Sequence, residues 1–389
     1  MAGIYIHIPF CKHKCAYCDF YSVVPAGYGK GAGASRSVAG KLTIDSYVSA
    51  IVEEAIMRKR ELGDEQVKTL YIGGGTPSVL EPEQIAKVIK VLEEVYDFKS
   101  LNEFTIEVNP DDVSEEYIRP LVELGVNRIS MGVQSFVDKE LVAVGRRHTA
   151  TQAIAAVESV RRAGIDNVSI DLIYGLPGQT LESWHNSLEM AVSLEVEHLS
   201  CYSLSYEPGT RLYYMLSKGL VKECDEDICI NMFKALLEIA RVNGYEQYEV
   251  SNFAREGHYS MHNSNYWNGT SYLGLGAAAH SYDGRVRRFN VANINGYMKC
   301  MTEGRVAYDS EELTEAERYD EYVMTRMRTM LGVNINDLGR EFGDVLRDHF
   351  VQEAAKYVSS GSVVERGGYY RLTESGVMIS DMIIRDLMG

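Results

Sequence analysis

Basic charge is in short supply in this chain: 39 lysines and arginines stand against 55 acidic side chains, a net charge of -16. That balance opposes a general attraction to phosphate backbones or anionic lipid, so nucleic acid is not expected as a partner. Long apolar runs are missing as well. No stretch of about 18 apolar residues is present to form a transmembrane helix, and the N-terminus lacks the basic, apolar, small-residue order of a secretory signal. The expected compartment is the cytoplasm. Cysteine is sparse, seven residues in all. Reducing conditions disfavour structural disulfides, so a tight group of thiols reads as a metal or catalytic site.

What is present is enough apolar material, 46% of 389 residues, for a large core and for about two or three domains. Short apolar runs at 4–8, 69–74, 104–109, 127–133, 168–175 and 197–204 alternate with helical patterns near 45–62, 82–96, 115–124, 151–163 and 181–194. This alternation predicts an α/β fold with a parallel sheet and helices outside. The strands are two-faced. Phe104, Ile106 and Val108 share one face of their strand while Thr105, Glu107 and Asn109 share the other, and Ile4, Ile6 and Ile8 likewise oppose Tyr5 and His7. Helices take the apolar face, so the polar face lines a cavity, as in a partial (β/α)6 barrel, with reactive groups gathered at the C-terminal strand ends. Residues 23–41, rich in glycine, alanine and serine, read as a loop insertion or a lid. From about 308 the chain becomes helical around a hairpin, VVERGGYYRL, which predicts a winged-helix-like module without a basic face. The expected units are 1–210, 211–307 and 308–389.

Three of the seven cysteines fall within eight positions, Cys11, Cys15 and Cys18 of CKHKCAYCDF. Three thiolates can hold a four-iron cluster and leave one iron without a protein ligand. Zinc is the alternative and needs a fourth ligand, for which the loop offers His13. Cys201 reads as core, and Cys224, Cys229 and Cys300 show no metal spacing. The C-x3-C-x2-C spacing directly after a first strand resembles the radical S-adenosylmethionine (SAM) superfamily. That resemblance implies a [4Fe-4S] cluster whose open iron is chelated by SAM, and cleavage of SAM to a 5′-deoxyadenosyl radical, chemistry that belongs to the cofactors.

GGGTP at 73–77 carries three glycines that let backbone approach a ligand, or that simply turn the chain. In the superfamily it resembles the motif that meets SAM, which makes Gly74, Gly75 and Thr76 binding candidates. The order of TIEVNP, GVQSF, GRRH and DLIYGLPGQT is similar to the coproporphyrinogen oxidase-like branch over nearly the whole chain. By that resemblance Glu107, Gln134, Arg146 and Asp171 contact SAM, together with Tyr5 and Tyr17, which alone would read as barrel-lining tyrosines.

Two departures separate this chain from the oxygen-independent oxidases of that branch. They carry a further cysteine where this sequence has Phe20, and an N-terminal arm ahead of the first strand, which here is expected almost at the start. Decarboxylation of coproporphyrinogen III is therefore the alternative, and a non-catalytic scaffold a further one. The heme chaperone branch is the resemblance that fits, through HNSNYW at 262–267. An imidazole can ligate heme iron and aromatics can cover the macrocycle, although a histidine beside Tyr and Trp also makes an ordinary packing cluster. The resemblance implies heme binding by His262, Asn263, Tyr266 and Trp267 and delivery of heme to acceptor apoproteins. YLGLGAAAHSY at 272–282 reads as a Gly/Ala-rich turn, with His280 either a second ligand or structural.

Overall fold

The structure is a computed structural model that describes residues 1–25 and 44–389. Most of the glycine-rich stretch read as an insertion or lid lies outside the described residues. β1 (Ala2–Ile8), β2 (Val67–Gly74), β3 (Glu103–Val108), β4 (Arg128–Gln134), β5 (Asn167–Tyr174) and β6 (His198–Ser203) lie side by side in that order, every neighbouring pair parallel. The expected two-faced pattern sets the layers. Ile4, Ile6, Ile72, Ile106, Ile129 and Leu172 are buried under the outer helices, and each such side chain contributes roughly 1.5–3 kcal/mol.

The helices start where the sequence supplies caps. Thr149 and Gln152 form a capping box ahead of helix Ala150–Arg162, and the Thr180 side chain accepts from Ser183 N at the start of Leu181–Ser193. Such caps fix where each crossover leaves the sheet, and with it the loops at the strand ends.

The sheet extends beyond six strands. β7 (Glu246–Gln247) and β8 (Asn252–Ala254) add antiparallel strands beyond β6. On the other side β9 (Tyr272–Leu275) runs parallel to β1, followed by antiparallel β10 (His280–Tyr282), β11 (Val286–Asn290) and β12 (Tyr308–Glu312). The segment read as a Gly/Ala-rich turn is thus two strands joined by a short turn. Gly274 breaks the apolar alternation that marks a strand, and it is needed there because a Cβ would overlap the His280 carbonyl.

One hydrophobic core runs from Ala2 to Ala307 and a second from Tyr319 to Leu387. The second packs Tyr319, Val323, Phe350 and Ile383 of three helices, Glu315–Met327, Ile335–Ser360 and Ser380–Leu387, on a small antiparallel sheet. That sheet comprises β13 (Val333–Asn334), β14 (Val363–Arg366) and β15 (Tyr369–Leu372), with β15 central, a winged-helix-like arrangement. No helix among the described residues is long and apolar enough to cross a membrane.

Candidate functional site

The inner, polar face of the sheet encloses a cavity of about 660 Å³. Its C-terminal rim is the cysteine loop. Cys11 N donates to Val23 O at 2.9 Å, Ala16 N to Val144 O at 2.9 Å and Leu212 N to Ala16 O at 2.7 Å, so the loop is tied to its own exit and to two distant segments. Cys11, Cys15 and Cys18 all line the cavity. Thr76 Oγ1 lies 3.4 Å from Cys11 Sγ and Arg146 Nη1 lies 3.4 Å from Cys15 Sγ. Burial pushes the Cys11 thiol up and takes that of Cys18 up to about 11. A bound metal overrides such a shift, because a coordinating thiol is deprotonated outright. Among the described residues no three His, Cys, Asp or Glu side chains converge on one ion position, as zinc with ligands about 2.0–2.3 Å from a single centre requires.

Below the rim the glycine turn closes against neighbouring strands. A Cβ on Gly73 would stand 2.8 Å from Glu107 Oε1, and one on Gly75 would stand 2.9 Å from the carbonyls of Ile8 and Phe10. Gly74 has φ 114°, a conformation that favours glycine, and its N–H donates to Glu107 Oε2 at 3.0 Å. The other Glu107 oxygen accepts from Tyr71 Oη at 2.8 Å. Burial pushes Glu107 up to about 7 and Asp171 up to about 6, where Ser130 Oγ approaches Asp171 Oδ1 at 3.3 Å. β4 ends in a register irregularity that leaves Gln134 at φ 70°, a strained conformation for a side chain other than glycine. Arg146 donates to Asn109 Oδ1 at 2.7 Å and to the Gly132 carbonyl, while its Nε is buried without a partner among the described residues. Tyr17 is half-buried beside Cys15 and Cys18, and Tyr5 Oη lies 3.1 Å from His7 Nδ1.

The twelve residues assigned from sequence to the cluster and SAM, which come from β1 to β5 and the loops that follow three of them, line this one cavity. Their donor set fits those groups: three thiols at the rim, glycines that admit a ligand against backbone, and two half-buried carboxylates with hydroxyl and N–H neighbours. The orphaned Arg146 Nε adds an unfilled donor at the same place.

His262, Asn263 and Tyr266 reach the same cavity from the opposite end, on helix Met261–Asn268, whereas Trp267 does not line it. The Glu103 carboxylate accepts from Met261 N at 2.7 Å and His262 N at 2.9 Å, a negative charge placed at the positive end of the helix. His262 is 1% exposed and both ring nitrogens are engaged, Nδ1 with Thr69 Oγ1 at 2.8 Å and Nε2 with Tyr266 Oη at 2.9 Å. Burial lowers it to about 3, which keeps the imidazole neutral. Tyr266 meets Tyr272 edge-on at 4.8 Å, and Trp267 Nε1 is buried without a partner among the described residues. His280 stands exposed on β10, its ring 6.1 Å from that of Phe289. Sequence reasoning passed over Tyr71, Glu103 and His198, whose side chains join segments far apart in the chain, and assigned no role to Arg128.

Residues 5–191 match the Radical SAM superfamily and residues 313–379 the HemN C-terminal domain. The chain is 34% identical to the heme chaperone HemW of Bacillus subtilis (strain 168) over the full length of both. It is 38% identical to the heme chaperone HemW of Lactococcus lactis subsp. lactis (strain IL1403), over 87% of this chain and 84% of that one. Among solved structures, the coproporphyrinogen III oxidase HemN of Escherichia coli, described as a radical SAM enzyme, superposes with a TM-score of 0.82 at 22% identity, covering 100% of this chain and 90% of that one, a likeness of fold. With full-length similarity of this degree joined to the three-cysteine rim and the lined partial barrel, the chain belongs to the HemW family of the radical SAM superfamily.

Proposed function

We propose that the chain is a cytoplasmic heme chaperone that binds heme and passes it to acceptor apoproteins, with a [4Fe-4S] cluster on Cys11, Cys15 and Cys18 and exchangeable SAM in the cavity. The observation that carries this reading is the full-length similarity to relatives named heme chaperones. Phe20, 66% exposed at the rim, supports it further, because it stands where the oxidases that the sequence resembles carry a further cysteine.

The cluster, when bound, supplies one-electron chemistry. This chain's own groups hold the ligands in place. Arg146 offers a positive charge beside Cys15, Gly74 and Gly75 admit the ligand against backbone, and Glu107 and Asp171 face its cationic and hydroxyl groups. Heme ligation by His262 has a stated local requirement: Nε2 must leave Tyr266 Oη.

Anaerobic reconstitution followed by heme titration tests the reading. Heme should bind near one per chain with a Soret band and move to a heme-depleted acceptor, while the same sample fails to convert coproporphyrinogen III. If His262 is the ligand, His262→Ala should weaken or alter the spectrum with iron and sulfide unchanged. Tyr266→Phe, which frees Nε2, should tighten heme binding about five- to tenfold, the worth of one released hydrogen bond. Robust protoporphyrinogen formation by the parent would overturn the proposal in favour of the oxidase.

A further inference from the structure

Arg128 opens β4 and lines the cavity, 2% exposed. Among the described residues no acceptor takes a guanidinium N–H of Arg128, no carboxylate lies within ion-pair distance, and Nε is buried without a partner. The contrast with Arg58, the other large fully buried arginine, is plain. Arg58 donates to Glu54, Glu61, Ser281 Oγ and the Gly274 carbonyl, as a structural guanidinium should. A buried unpaired charge is strongly destabilising, so a fold that keeps one spends stability on what its field does.

That field falls on two acids. β4 lies between β3, which carries Glu107, and β5, which carries Asp171. Arg128 attracts both and counters the effect of their burial. The remaining groups around it hold their charge state fixed. Tyr5 of β1, Tyr71 of β2, Tyr248, and Tyr266 of helix Met261–Asn268 are phenols that burial pushes far up. His198 of β6 and His262 are imidazoles that burial pushes well down, and Arg146 stays cationic. Of the groups named, Glu107 and Asp171 are the ones that change charge near neutral pH.

We infer that Arg128 is a positioning residue for a cationic ligand: its unpaired charge, on the strand between the two carboxylates, favours the charged form of Glu107 and Asp171 that receives a sulfonium nucleoside. The inference rests on the reading of the cavity as the SAM site. It adds a residue that need touch neither SAM nor the cluster. Since the guanidinium makes no forked contact that a lysine would lose, its charge is what matters, and lysine should replace it where glutamine cannot.

The test is equilibrium binding of SAM to the anaerobically reconstituted full chain from pH 5.5 to 9, with iron and sulfide measured on each sample. The parent's affinity should rise with pH as the two carboxyls ionise. Arg128→Gln should move the midpoint of that rise upward by about one pH unit, so that affinity falls about tenfold at pH 6.5 and recovers by pH 9. Arg128→Lys should follow the parent within about threefold at pH 6.5. An unmoved midpoint in Arg128→Gln, or an equal loss at every pH, overturns the inference. If the glutamine variant fails to hold its cluster, the lysine variant decides, and a pH-independent loss there overturns the inference as well. Absence of SAM binding by the parent would instead refute the proposed cofactor, a result distinguishable from either.

Discussion

Glu107 is held by Tyr71 Oη and Gly74 N in a place where burial still dominates its ionisation. Its carboxyl is raised from 4.5 to about 7, so the folded chain binds this proton more tightly than the unfolded chain does. The stabilisation is fully present below about pH 4.5 and is lost as pH rises through about 7, a difference worth roughly 3 kcal/mol. Glu107→Gln should remove that slope. The ligand-free variant should gain on the parent in denaturant unfolding as pH rises from 5 to 8, and parallel curves would contradict the shift. At this scale the sequence was informative about chemistry and silent about state. The two-residue period put Glu107 and Asp171 on the inner face, but the hydroxyls and N–H groups around them come from other strands. Arg128 could be placed on the same face from its own strand, yet its lack of a partner is a three-dimensional fact with no local signature.

Helix Met261–Asn268 carries HNSNYW and depends on an acid 158 residues earlier. Glu103 accepts the first N–H groups of the helix, Ser260 Oγ accepts from Asn263 N, and Arg326 donates to the Asn268 carbonyl at its other end. Replacing Glu103 by Ala leaves two N–H groups unsatisfied and should cost about 2–4 kcal/mol. Thermal unfolding would record that loss, and freeing His262 from its present orientation should also broaden any heme spectrum that depends on it. The βα units were legible because capping residues and apolar alternation agree along each of them. β9 was not, since its glycine looks like a turn until the His280 carbonyl beside it is seen. The same limit applies to His262, for which a motif names a residue but cannot show that two hydroxyls already hold it.

Across the whole molecule, two hydrophobic cores divide the chain near 307–319. The residues that line the cavity all precede that division. Phe350 is fully buried in the second and meets Tyr370 edge-on at 5.3 Å. Phe350→Ala should cost that unit about 3–5 kcal/mol while the reconstituted cluster and SAM affinity stay at parental values. Calorimetry should show the loss in one transition, and collapse of both cores together would mean that they fold as one. The second unit was legible as helices around a hairpin, but only its contacts show that helix Glu315–Met327 reaches the HNSNYW helix through Arg326 and Asn268.

The parallel pairing of β1 with β9 sets an order on biosynthesis. Residues 3–6 leave the ribosome first, yet their hydrogen-bonding edge waits for residues 272–275. At ordinary elongation rates that interval is on the order of tens of seconds, during which β1 presents the open edge that invites wrong pairing. The cysteine loop follows β1 directly, so its thiols too are made long before the sheet beside them closes. Closure of the β1 edge is therefore an event of the nearly finished chain, and a nascent polypeptide stalled before Tyr272 should leave that edge open.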